Sequence, residues 1–391
     1  MRTFHPPRRV LLGPGPSEVS SRVLLAGARP TIGHLDPAFI GLMDEIKGGL
    51  TRLFRAPQHA CLPLPGPGTA GMEAAIMNLL EPGQAIVVAV NGVFGRRMGE
   101  MAERAGAEVI RVEHAMGEPV DPARVEAALW ARGAKALAFV HAETSTGVVS
   151  DPGPLCALAR EHGALSIVDC VTSLGGIPVD AAGWGADVLY SGTQKCLSAP
   201  PGLSPFALGP RAREAVAARK TRARTWLYDF DLLMGYWSGT GGRSYHHTAP
   251  INALYSLHEA LVALEEEGVE QAFARHRRVH EGFVAGVEAL GLRLPVAPAA
   301  RLPQLNVVEA PLGVDEARAR ALMLDRFGVE IGGGLGDWAG RVWRVGLMGA
   351  SATPGHVRLF LEAMASALNA QGHASNVQVA LDAADARFGP V

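Results

Sequence analysis

The stretch ADVLYSGTQKCLSAPPG, Ala186 to Gly202, carries an apolar, strand-like run into small and turn-forming residues and sets one cation, Lys195, just beyond the junction. Similar apolar runs surround it in sequence: AIVVAV (Ala85 to Val90), EVIRVE (Glu108 to Glu113), ALAFVHA (Ala136 to Ala142), ALSIVDC (Ala164 to Cys170) and LSPFALG (Leu203 to Gly209). Helix-like patterns lie between them at Phe94 to Arg104, Asp121 to Ala131 and Pro154 to Glu161. Apolar strands alternating with helices predict an α/β fold, a mostly parallel sheet flanked by helices on both faces. In such sheets ligands gather at the carboxyl ends of the strands. The residues that follow each run, Lys195 among them, are therefore the first candidates for chemistry.

With 391 residues the chain exceeds the usual reach of one hydrophobic core, which predicts two domains. The rhythm changes after residue 250 to long helical patterns, Ile251 to Glu267 and Val269 to Ala289. Strand-like LPQLNVVEA (Leu302 to Ala310) and RVWRVGLMG (Arg341 to Gly349) follow, around helix-like Asp315 to Phe327. We expect a large domain over 16–250 and a smaller α+β domain over 251–391, joined by residues 1–15 lining the site; Gly372 to Val391 fits no element. A net charge of −2 gives no case for a nucleic-acid or membrane partner. The four cysteines have no metal-ligand or disulfide spacing, and no segment reaches membrane-spanning length, so we expect a soluble, cytoplasmic protein without a metal. His246 and His247 do not change that expectation, since neighbours in an extended segment point to opposite sides.

Asp169 closes the run SIVDC, and a carboxylate there needs a cation or several donors unless it caps the following turn. Lys195 follows one strand-like run later, so both could stand on one sheet edge. A cofactor with a protonated ring nitrogen at one end and an aldehyde at the other would need this pair; pyridoxal phosphate is such a cofactor. Its phosphate would need a site, and PGPGTAGMEAAIMNLLEPG (Pro65 to Gly83) sets glycines before a helical pattern whose first N–H groups could face an anion. Gly66, Gly68 and Gly71 also match GxGxxG, which would suit a nicotinamide-dependent oxidoreductase. Prolines interrupt the preceding CLPLP, however, and that reading leaves Lys195 and Asp169 without a role.

The segments LLGPGPS, PGPGTAGMEAA, NGVFGRRM, HAETSTGV, VDCVTSLGG, YSGTQKCLSAPPG, YHHTAPINALYSL and RVWRVGLMG, in order from Leu11 to Gly349, resemble those of the class V, fold type I, pyridoxal-phosphate-dependent aminotransferases. The nearest resemblance is to the alanine:glyoxylate and serine:glyoxylate or serine:pyruvate group. It implies that Lys195 forms the Schiff base and moves the substrate proton, and that Asp169 pairs with the ring nitrogen. It implies further that Phe94 stacks on the ring, that Gly68, Thr69, Ala70 and Gln194 hold the phosphate, and that Thr144 stands near cofactor and substrate. Pro67 departs from the pattern, because relatives often carry serine there and proline offers neither N–H nor hydroxyl. The resemblance also implies a homodimer with shared active sites, in which Tyr245 and Thr248 reach the neighbouring subunit's phosphate.

Arg344 alternates with Trp343 and Val345 in a strand-like run, and its planar fork suits a carboxylate. The resemblance makes it the anchor for the substrate carboxylate, with Gly13 and Gly15 letting backbone approach the substrate. The expected activity moves an amino group from alanine or serine to glyoxylate or pyruvate by two half-reactions. (S)-ureidoglycine:glyoxylate and pyridoxamine:pyruvate aminotransfer remain alternatives. A cysteine desulfurase would need a cysteine well beyond the lysine, and the last one is Cys196.

Overall fold

The computed structural model describes residues 1–237 and 243–388. Seven strands form its main sheet: β1 (Ala60–Pro65), β2 (Ala85–Val90), β3 (Glu108–Glu113), β4 (Ala136–Val140), β5 (Leu165–Asp169), β6 (Val188–Tyr190) and β7 (Leu203–Leu208). Their spatial order is β1-β7-β6-β5-β4-β2-β3. Strands β2 to β6 pair in parallel, and β7 runs against both of its neighbours. Every residue of β4 and β5 is buried, which explains apolar runs without alternation. The remaining strand, β1, is masked in the sequence by Pro63 and Pro65. It lies at the sheet edge, where a missing N–H leaves no neighbouring carbonyl unpaired.

Two helices bring residues to the strand ends: α1 (Gly68–Leu79) follows β1, and α2 (Val93–Arg104) follows β2. Much later come α3 (Ile251–Glu267) and α4 (Val269–Ala289). A second, antiparallel sheet contains β8 (Leu305–Glu309), β9 (Gly332–Gly333) and β10 (Val342–Gly346), in the order β8-β10-β9.

Packing places the change of hydrophobic core later than residue 251, where the sequence rhythm changes. Ile251, Leu254, Leu257 and Leu261 of α3, and Ala272 of α4, belong to the same hydrophobic cluster as the main sheet. The other large cluster begins on α4 with Val279 and includes Phe283, Trp343, Val345 and Phe360. The core therefore changes within α4, because the apolar face of α3 lies against the helices at residues 21–27 and 37–53. Leu12 joins the second cluster, and strand Val10–Leu11 pairs with Val329–Glu330.

The unplaced C-terminal stretch contains a helix, Val377–Phe388, that packs on α4 and on helix Pro354–Asn369. Its buried side chains are Ala380 and Ala384, one turn apart, a stripe too small to stand out in an alanine-rich sequence. Gly282 admits the ring of Phe388, which would lie 2.1 Å from a Cβ at that position.

Candidate active site

Loops leaving the parallel strands enclose a cleft lined by Pro67, Gly68, Thr69, Phe94, Thr144, Asp169, Gln194 and Lys195, together with Met72, Arg97, Val140 and Val171. Val140 and Asp169 are the last residues of β4 and β5, and Gln194 and Lys195 follow β6. The carboxyl-end rule thus gathers residues far apart in sequence into one site.

Asp169 is 3% exposed. One carboxylate oxygen accepts the Val171 N–H at 2.8 Å and the other accepts the Tyr190 hydroxyl at 2.8 Å. Burial still dominates and pushes the carboxyl up to about 6, the two donors offsetting part of the rise. A cationic ring nitrogen would restore the missing counter-charge.

Lys195 is 7% exposed, and burial lowers its ammonium to about 8, with Arg344 adding repulsion. Its Nζ donates to the carbonyl of Pro14. The neighbouring Gly15 has φ +111°, and a Cβ there would lie 2.6 Å from Nζ. The left-handed backbone at 15 favours glycine, and its missing side chain leaves space that the lysine end occupies. The Ser17 hydroxyl fixes the lysine backbone by donating to its carbonyl at 2.6 Å.

At the opposite wall α1 begins at Gly68, where a Cβ would meet Val171 Cγ2 at 2.5 Å. Pro67 is the N-cap and makes no side-chain cap bond. Ala70, expected in the phosphate turn, is turned away from this role: its N–H donates to the Pro67 carbonyl at 2.7 Å, and it does not line the cleft. Gly68 and Thr69 remain as the helix start facing the cavity. Gln194 Oε1 is buried with no hydrogen-bond partner among the described residues. Turning that amide would present its NH₂ group instead. Between an orphaned amide, a helix N-terminus, a carboxylate and an amine, the donor set fits pyridoxal phosphate.

Arg344 is buried behind the cleft rather than on its wall. Its Nε donates to Gly333 O at 2.7 Å and its Nη1 to Thr144 O at 3.3 Å, while burial lowers it to about 10. Gly13 packs against backbone, with a Cβ position 3.8 Å from Gly332 N, and does not line the cleft. Tyr245 is 61% exposed; its hydroxyl lies 3.5 Å from Thr248 Oγ1, and neither residue lines this chain's cleft. The expected divergence of His246 and His247 is corrected, since their Nδ1 atoms stand 2.8 Å apart with the rings edge to face. No group of three metal-ligating side chains occurs among the described residues.

Four residues of the site escaped sequence reasoning. Tyr190 ends β6 and looks like any strand aromatic until its hydroxyl meets Asp169. The Thr172 hydroxyl is in hydrogen-bond contact with that of Thr144. Arg97 lies one helical turn beyond Phe94, its guanidinium carbon 4.7 Å from the ring centre. Glu143 is wholly buried beside Thr144 and accepts from the backbone of Phe94 at 3.2 Å and Gly95 at 3.4 Å, and from Ser145 at 2.9 Å. It caps α2, whose own N-cap, Gly92, has no side chain to do so. Burial raises the Glu143 carboxyl, against the pull of these donors.

The class-V aminotransferase family profile matches residues 21–338. Alanine--glyoxylate aminotransferase of Callithrix jacchus is 39% identical over 364 residues, covering 93% of this chain and 88% of the relative. The crystal structure of ureidoglycine-glyoxylate aminotransferase from Bacillus subtilis superposes with a TM-score of 0.97 at 35% identity, covering 100% of both chains. That of alanine--glyoxylate aminotransferase from Nostoc sp. gives 0.92 at 42% identity, covering 94% of this chain and 97% of the other. No helix among the described residues is long and apolar enough to cross a membrane.

Proposed function

This chain belongs to the class-V aminotransferases, and from that premise we propose that its cleft transfers an amino group from alanine or serine to glyoxylate. It is a pyridoxal-phosphate-dependent enzyme with a fold type I architecture. When bound, pyridoxal phosphate supplies an aldehyde that holds the substrate nitrogen and a ring that accepts electrons from the Cα–H bond. Everything else falls to the chain's own residues.

Lys195 would hold the cofactor by its aldehyde carbon, and its freed amine would serve as the base and acid for the substrate proton. Burial, which lowers the ammonium to about 8, favours the neutral amine that both tasks need. Asp169 would keep the ring nitrogen protonated, Phe94 would cover the ring, and Gly68, Thr69 and Gln194, which line the same cleft, would meet the phosphate. Arg344, held just behind the cleft wall through the carbonyl of the cleft residue Thr144, would anchor the substrate carboxylate. The observation that carries this reading is the buried Asp169 and Lys195 on one cleft at adjacent strand ends. Tyr245 and Thr248, away from this chain's cleft, serve the cleft of a second copy in a homodimer. The four cysteines, all free and buried, support a reducing compartment, the cytoplasm.

The test follows the visible absorption of the holoenzyme as single donors and then glyoxylate are added. Loss of the lysine-bound cofactor band with alanine or serine, and its return with glyoxylate, is the expected result. The likeness in shape to a ureidoglycine-glyoxylate aminotransferase favours (S)-ureidoglycine as a second donor to try. A band that responds to that donor alone replaces the first reading with the second. A response to pyridoxamine and pyruvate alone replaces both.

A further inference from the structure

We propose that Arg97 is a phosphate-binding residue of this chain, supplying the charge and donors that Pro67 withholds from the cofactor's anion. The inference rests on the pyridoxal-phosphate site proposed above. Pro67 has no N–H and makes no cap bond, and the Ala70 N–H is committed to the Pro67 carbonyl. The start of α1 thus offers the amides of Gly68 and Thr69, with the Thr69 hydroxyl, to a group that bears three acceptor oxygens and close to two negative charges.

Arg97 stands where the deficit lies. It lines the same cleft as Pro67, Gly68 and Thr69, and its Nη1 donates to Thr69 Oγ1 at 3.4 Å. Phe94, three residues earlier on the same face of α2, holds the guanidinium over its ring. Arg97 makes no ion pair with a carboxylate among the described residues, whereas Arg104 and Arg111 nearby are paired with Glu100 and Glu103. The other cations of the site are committed elsewhere: Arg344 is bonded to Gly333 and Thr144, and Lys195 to Pro14. The charges are therefore divided, Arg344 for the substrate carboxylate and Arg97 for the phosphate. A guanidinium is suited to this role because its forked N–H groups can meet two phosphate oxygens while one face rests on an aromatic ring.

Pyridoxal phosphate and pyridoxal, which lacks the phosphate, are titrated into apoprotein of the native sequence and of Arg97→Gln, and bound cofactor is read from the visible band. Arg97→Gln should weaken pyridoxal phosphate by about tenfold to a hundredfold, as expected for a charge-assisted hydrogen bond, and leave pyridoxal unchanged. Pro67→Ser in the Arg97→Gln background should recover part of the loss by restoring an N–H and a hydroxyl. Arg97 is exposed, so thermal melting of both apoproteins should coincide. An equal loss for both ligands, or no loss for either, overturns the proposal. If the native protein itself takes up the two ligands with equal affinity, the phosphate site fails, and the proposal with it.

Discussion

At the scale of single residues, burial acts oppositely on the two central groups and brings both within reach of neutral pH. Burial lowers Lys195 to about 8 from an ordinary lysine value of 10.5. Because its folded value lies below the unfolded one, the apoprotein favours the neutral amine, and the cost of keeping it charged is present below pH 8 and fades as pH rises. The rate at which apoprotein captures pyridoxal phosphate should therefore rise with pH through about 8, as stopped-flow absorbance can show; a midpoint near 10.5 would mean a solvated lysine. Asp169 is raised to about 6, so its ionised form is lost as pH falls through that value. Tyr190 donates to it, and Lys195 and Glu143 face it with opposite effects. Tyr190→Phe removes that donor and should move the acid limb of the kcat/KM profile upward by about one pH unit, the equivalent of one hydrogen bond to a charged group. An unmoved limb would show that the hydroxyl contributes packing alone.

At the scale of elements, the site depends on where α1 and α2 begin, and neither helix is capped by a residue next to it in sequence. Glu143 caps α2 from 49 residues away, which is why HAETSTG displays a carboxylate with no visible task. Gly92 is part of the same fit, since a Cβ there would lie 2.4 Å from the Glu143 side chain. Glu143→Ala leaves the buried N–H groups of Phe94, Gly95 and Ser145 without their acceptor. It should destabilise the apoprotein by about 2–4 kcal/mol in urea unfolding and weaken the circular dichroism of the bound cofactor, as Phe94 loses its fixed position. Glu143→Gln retains an acceptor but turns an NH₂ toward donors, so it should fall between the two. The same distance explains what sequence could and could not reveal. Lys195, Asp169 and Thr69 were legible because each sits within a few residues of a strand end or helix start, whereas Phe94 was reached through the family resemblance alone. Arg97, Glu143 and Tyr190 contact partners on other elements, and the Ala70 N–H bond to the Pro67 carbonyl is a detail of the first helical turn that sequence does not display.

At the scale of the whole molecule, six of the seven main-sheet strands were legible, five because burial makes them apolar almost throughout, and the exposed edge strand β3 through its β-branched Val109, Ile110 and Val112 between charged residues. The edge strand β1 was hidden by its prolines, and the change of core within α4 by a continuous amphipathic pattern that serves two clusters in turn. Quaternary structure lies further still from local pattern, yet Tyr245 and Thr248, both exposed, require an account. If they complete the cleft of a second copy, each active site is made from two chains. Lys195→Ala and Tyr245→Ala should then each lose activity as separate homodimers, the first almost wholly. When the two are unfolded and refolded together, each mixed dimer regains one cleft with a native lysine and a native tyrosine. Random pairing should then restore about a quarter of the native sites, since half of the dimers are mixed and each carries one intact cleft of two. Sites built within one chain would give no such gain, because neither variant could supply what the other lacks, and Tyr245 would have to act on its own subunit from outside the cleft.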